Sequence, residues 1–109
     1  MSGYVFRKSL IDKRDLREVL ESSTLSDGAK TYYAYLFTLP SGSYTSNQDI
    51  VDAEVCVSIQ MVNKFKRELK ELGLYYENKE GHTNIKFAYL GSFKYKATLF
   101  AEQWRKKEI

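Results

Sequence analysis

Between Ser58 and Leu72 the sequence reads SIQMVNKFKRELKEL. At about 100° per residue, Val62, Phe65, Leu69 and Leu72 share one narrow arc of a helix, and Gln60, Asn63, Lys64, Arg67 and Glu71 fall roughly opposite. Four of those outer side chains have the chemistry to read a nucleic acid. An arginine can fork onto guanine, glutamine and asparagine can pair with adenine, and a lysine suits a phosphate. The same face would also suit plain contact with water, because charged outer faces are the rule on amphipathic helices.

The charge distribution points the same way. Residues 1–14 carry four basic and one acidic residue, residues 15–56 two and seven, and residues 57–109 eleven and six. A cationic half thus follows an anionic one, which suits a polyanionic partner on one face. These charges could also simply solvate opposite sides of a small domain. The net charge of +3 decides nothing by itself.

Other chemistry is poorly supplied. A single His and a single Cys cannot build a zinc site of the usual kind, so no metal and no cofactor is expected. No P-loop or G-x-G-x-x-G motif occurs, and the carboxylates of residues 12–27 show no paired spacing. Cys56 reads as a small buried hydrophobe rather than a nucleophile. An enzyme is not expected. No apolar run is long enough to span a membrane, MSGYVFRKSL lacks a secretory apolar stretch, and the lone cysteine suits a reducing compartment. The expected location is the cytoplasm.

The elements that must position the basic helix follow from local signals. YVFRKSLI reads as extended or irregular, and residues 12–22 place Leu16, Val19 and Leu20 at helical spacing. From Ser26 a strongly apolar helix carries Tyr32, Leu36 and Leu39, and it must stop near Leu39 because Pro40 follows. Tyr44 and Thr45 are expected to make one short sheet pairing. Ser46 and Asp49 have capping-box spacing for a short helix, and Ser58 can cap the basic helix, which Gly73 should end. LYYENK and TNIKFAYL flank Glu80-Gly81-His82 as a hairpin, with Ile85, Phe87 and Tyr89 alternating against Lys86 and Ala88. Of the adjacent Tyr75 and Tyr76, one is expected to be exposed. A last helix over 96–107 puts Ala97, Phe100, Ala101 and Trp104 on one face. The order extended, α, α, short β, α, α, β, β, α describes an α+β fold in one domain over 1–109, with its core at about 25–90.

The segments DGAKTYYAYLFTLP, YTSNQDIVDA, SIQMVNKFKRELKELGLYY and KEGHTNIKFAYL together resemble a winged helix-turn-helix domain. The resemblance covers about residues 25–90 and is nearest to the DNA-binding domains of phage and plasmid replication initiators and related bacterial regulators. It implies a two-stranded wing after the recognition helix, with extra helices at both ends. It also implies double-stranded DNA as partner, in transcription regulation or in replication or partition of a bacterial chromosome, plasmid or phage. On that resemblance Ser58, Gln60, Asn63, Lys64 and Arg67 would carry recognition, and Lys79, His82 and Lys86 would act as the wing. Ser46, Asn47 and Gln48 could donate to phosphate. One departure is the turn DAEVCV, which has no glycine where many such turns carry one, so the angle between the two helices stays open.

Ala97, Phe100, Ala101 and Trp104 have two readings, a cap on the core or the seam of a homodimer, which small winged-helix proteins often form on palindromic sites. A replication or transcription protein is a further conceivable partner. The rival to DNA binding is a protein-interaction module of the same fold, working through the anionic segment 15–56 and the Phe100/Trp104 face. A third reading, binding of unpaired strands, would rest on exposed tyrosines such as Tyr75 or Tyr76.

Overall fold

The computed structural model describes residues 3–8, 11–79, 85–99 and 102. They form an α+β fold built on a four-stranded mixed sheet. In chain order the elements are β1 (Tyr4–Lys8), α1 (Lys13–Leu20), α2 (Asp27–Thr38), β2 (Tyr44–Thr45), α3 (Asn47–Asp52), α4 (Ile59–Glu71), β3 (Tyr75–Lys79) and β4 (Lys86–Leu90). A fifth helix opens at Ala97, with residues 97–99 and 102 helical. Among the described residues no helix is long and apolar enough to cross a membrane.

The helix ends lie where local chemistry sets them. Asp12 and Asp15 close a capping box on α1, and Ser46 and Asp49 close one on α3. Ser26 caps α2, and Leu39, held extended by the following Pro40, ends it. Ser58 caps α4, whose far end turns at Gly73, a left-handed residue with φ +74°. The turn between α3 and α4 has no glycine, yet it needs the same conformation: Glu54 supplies it with φ +62°. A left-handed glutamate is a strained residue at that place.

The sheet order is β2-β1-β4-β3. β1 runs antiparallel to β2 and parallel to β4, with Phe6 opposite Ala88 and Lys8 opposite Leu90. β3 and β4 form an antiparallel pair, with Glu77 opposite Ala88. The extended stretch at the start of the chain is thus an internal strand. Its parallel pairing is made across most of the sequence, so no local signal announces it.

One face of the sheet carries the main core. Phe6, Tyr75, Ala88 and Leu90 meet Val19, Tyr32, Tyr33, Leu36, Val62, Phe65 and Leu69 from the helices. Tyr33 Oη donates to Gly91 O at 2.6 Å, tying α2 to the end of β4. At the start of α2, Ser26 N–H and Oγ both donate to the Glu68 carboxylate (3.0 and 2.8 Å), which fixes α2 on α4.

The alternation expected along β4 is reversed. Ala88 and Leu90 belong to the helix-covered face, whereas Phe87 and Tyr89 lie with Tyr76 and Ala97 in a smaller cluster. Ile85 is 48% exposed. β4 is flanked by strands on both sides and covered on both faces, so the apolar alternation of a half-buried strand does not apply. Tyr75 is buried and Tyr76 is half-buried against the Tyr89 ring, so neither is the exposed platform that the sequence suggested.

Candidate nucleic-acid interface

α4 shows two contrasting sides. Val62, Phe65 and Leu69 are buried in the core, and Gln60, Asn63, Lys64 and Arg67 are exposed. α3 packs on α4 through the turn at residues 53–58, and β3 leaves directly from the end of α4. Ser58 Oγ accepts from Met61 N–H at 3.3 Å, which leaves its own hydroxyl proton available. Ser46 Oγ is engaged alike with Asp49 N–H at 3.2 Å. Gln48 Nε2 donates to Asp52 Oδ1 at 2.9 Å.

Beneath this surface lies a polar cluster that the sequence pattern did not disclose. Lys66 is 4% exposed. Its ammonium donates to Glu77 Oε2 at 2.8 Å and to Asn47 Oδ1 at 2.5 Å, and it sits 4.4 Å from the centre of the Tyr4 ring. Glu77 also accepts from Tyr75 Oη (2.7 Å) and from the half-exposed Lys70 (3.1 Å). One buried ion pair thereby joins α4, α3, β1 and β3. A signal for it existed: Lys66 is four residues after Val62 on the apolar arc, and Glu77 shares a strand face with the core residue Tyr75.

The two partners of this pair are shifted unequally. Burial alone would raise the Glu77 carboxyl, but hydrogen bonds and charge from Lys66, with Tyr75 and Lys70, outweigh it and bring it down to about 2. Lys66 is lowered, because its burial outweighs the attraction of Glu77 and because Lys70 and Lys86 lie nearby. The asymmetry has a plain origin, since Glu77 gathers several donors whereas Lys66 is buried more deeply beside other cations. Tyr4 is pushed up to about 12 by burial and by the neighbouring Glu77 charge.

The remaining residues singled out from the sequence are scattered. Lys86 is half-buried on β4, its ammonium 5.8 Å from the Tyr4 ring, where it helps line a cleft of about 200 Å³ with Tyr4, Glu77 and Asn78. Lys79 ends β3. His82 lies outside the described residues, as do Phe100, Ala101 and Trp104. Ala97 is fully buried beside Tyr89, so its side chain belongs to the fold's own packing and not to an open seam. Cys56 is buried, and burial raises its thiol. Among the described residues no group of His, Cys, Asp or Glu is arranged to hold a metal.

The chain matches no protein-family model, no curated protein and no solved structure.

Beside α3, a groove of about 720 Å³ is lined by Tyr44, Asn47, Asp49, Asp52 and Ile59 among others. Its carboxylates are already committed, Asp49 to the Ser46 N–H and Asp52 to Gln48. The exposed cations Lys64 and Arg67 are one turn and two turns further along α4.

Proposed function

We propose that this chain is a winged helix-turn-helix protein that binds double-stranded DNA. α3 and α4 form the helix-turn-helix, α4 enters the major groove, and β3–β4 is the wing. The observation that carries this reading is the exposed set Gln60, Asn63, Lys64 and Arg67 on the outer side of a helix whose inner side is anchored in the core. An α-helix fits the major groove of B-form DNA, and a helix that precedes it through a short turn can lie across the phosphate backbone.

Within this reading Lys64 meets phosphate and Arg67 reads a guanine or spans to phosphate. Ser46, Gln48 and Ser58 position the module on the backbone. The role is transcription regulation or replication and partition work on a bacterial, plasmid or phage replicon. Pairing of two copies through Phe100, Ala101 and Trp104 would match a palindromic site.

A duplex titrated into the isotopically labelled protein tests the placement. Amide shifts concentrated on residues 46–48 and 58–67 and on the hairpin are expected. Shifts confined to α1 and α2, or none at all, would overturn the proposal. A second reading, as a protein-interaction module, draws on the exposed Tyr44 and Ile59 at the rim of the groove beside α3. It would be favoured by a protein that ignores duplex DNA at low salt.

A further inference from the structure

The orientation of the Asn63 side chain is set from inside the protein. Lys66 carries only donors, so the oxygen it meets at 2.5 Å on Asn47 has to be the amide Oδ1. That leaves Asn47 Nδ2 to donate, and it does so to Asn63 Oδ1 at 3.2 Å. Asn63 thus has its oxygen tied back to α3, and among the described residues no group accepts from its Nδ2. An asparagine is normally ambivalent, because either end of the amide can face a partner. Here a buried ammonium two hydrogen bonds away removes the ambiguity.

We infer that Lys66, acting through Asn47, turns Asn63 to read DNA through its amide donor and so to select guanine over adenine. The inference rests on the DNA-binding reading and adds the base preference to it. Guanine presents two neighbouring acceptors, N7 and O6, in the major groove, whereas adenine sets an N6–H donor beside its N7. The usual pairing of asparagine with adenine needs the amide oxygen and nitrogen turned to the base together. With Oδ1 turned back to accept from Asn47 on α3, Asn63 presents its nitrogen as the end left for a base. Lys66 and Asn47 are positioning residues in this scheme, and Asn63 is the residue that touches the base.

The relay makes an inversion possible. In Asn47→Asp both side-chain oxygens accept, so Lys66 keeps its partner but nothing donates to Asn63. The Asn63 amide then turns its Nδ2 toward the new carboxylate and presents Oδ1, which suits the N–H donors of adenine or cytosine. An aspartate in the first turn of a helix is also compatible with folding.

The test selects binding sites from a randomised duplex pool with wild type, Asn47→Asp and Asn47→Ala. The side-chain amide signals of the three free proteins are followed in parallel. Wild type should prefer guanine over adenine at one position by about fivefold or more. Asn47→Asp should reverse that preference and Asn47→Ala should flatten it. In the free wild type the Asn47 amide protons should show the hydrogen-bonded shift and those of Asn63 should not. If Asn47 served only as a phosphate contact, both variants would bind every sequence less tightly with base preference unchanged, which would overturn the relay. An Asn63 amide that is the hydrogen-bonded donor in the free wild type would overturn it without DNA. Intact amide signals with no duplex binding at low salt would instead remove the DNA reading, and the recognition role of Asn63 with it.

Discussion

Replacing Glu77 by leucine should cost far more than replacing the whole ion pair. Glu77→Leu strands the Lys66 ammonium, which is 4% exposed and would keep only Asn47 as a hydrogen-bond acceptor. Leaving one member of a buried pair uncompensated costs about 3–5 kcal/mol. An independent limit agrees. A stranded lysine can always release its proton, and doing so at pH 7 against an ordinary value of 10.5 costs about 5 kcal/mol, at roughly 1.4 kcal/mol per tenfold change in proton affinity. Lys66→Met in the same background removes the charge altogether, and such apolar replacements of buried pairs are often neutral or stabilising by about 1–4 kcal/mol.

Urea unfolding of wild type, Glu77→Leu, Lys66→Met and the double variant closes a double-mutant cycle. The double variant should be within about 1 kcal/mol of wild type or above it, with Glu77→Leu several kcal/mol below both. Additive losses would show that Lys66 and Glu77 do not act as a pair. The same pair predicts the acid limb. Because the folded Glu77 carboxyl sits at about 2 against an ordinary 4.5, its contribution of about 3 kcal/mol is complete above pH 4.5 and is lost as pH falls toward 2. Glu77→Gln should lose that part of the pH dependence, and an unchanged acid limb would count against the assignment.

Two further predictions concern the backbone. Glu54 is exposed with φ +62°, so Glu54→Gly should raise stability by about 0.5–1 kcal/mol, the relief of left-handed strain less the extra freedom of glycine in the unfolded chain. A lowered melting temperature would contradict that. A Cβ at Gly28 would run into the Phe65 ring, inside the contact between α2 and α4, so Gly28→Ala should destabilise by about 1–3 kcal/mol in denaturant titration. A neutral result would mean that the two helices can separate freely.

Much of the helical part was legible because its signals are local. Ser46 and Ser58 cap the helices that they were expected to cap, the apolar helix starts just after Ser26, and Pro40 and Gly73 end theirs. The parts that were not legible depend on distant partners. The start of the chain reads only as extended until β4 arrives to pair with it. The helices cover one face of β4, and Tyr76 and Ala97 pack against Phe87 and Tyr89 on the other, which defeats its apparent alternation. Lys66 reads as surface because it is charged, although its helical position lies beside the core, and only Glu77 and Asn47 from other elements make its burial tolerable. The strained Glu54 hides because nothing in Asp52-Ala53-Glu54-Val55 signals a left-handed residue. For the candidate interface, helix periodicity identified the outward side chains of α4. The amide direction of Asn63 followed only from the three-dimensional chain of hydrogen bonds.

On the proposed reading, the outer face of α4 binds duplex DNA. The most direct measurement is affinity for a random duplex across a salt series, comparing wild type with Lys64→Ala/Arg67→Ala. If these two cations meet phosphates, log Kd should rise steeply with log salt concentration for wild type, and the slope should fall by about 2 in the double variant. Equal slopes for the two proteins, or no binding by wild type at low salt, would contradict it.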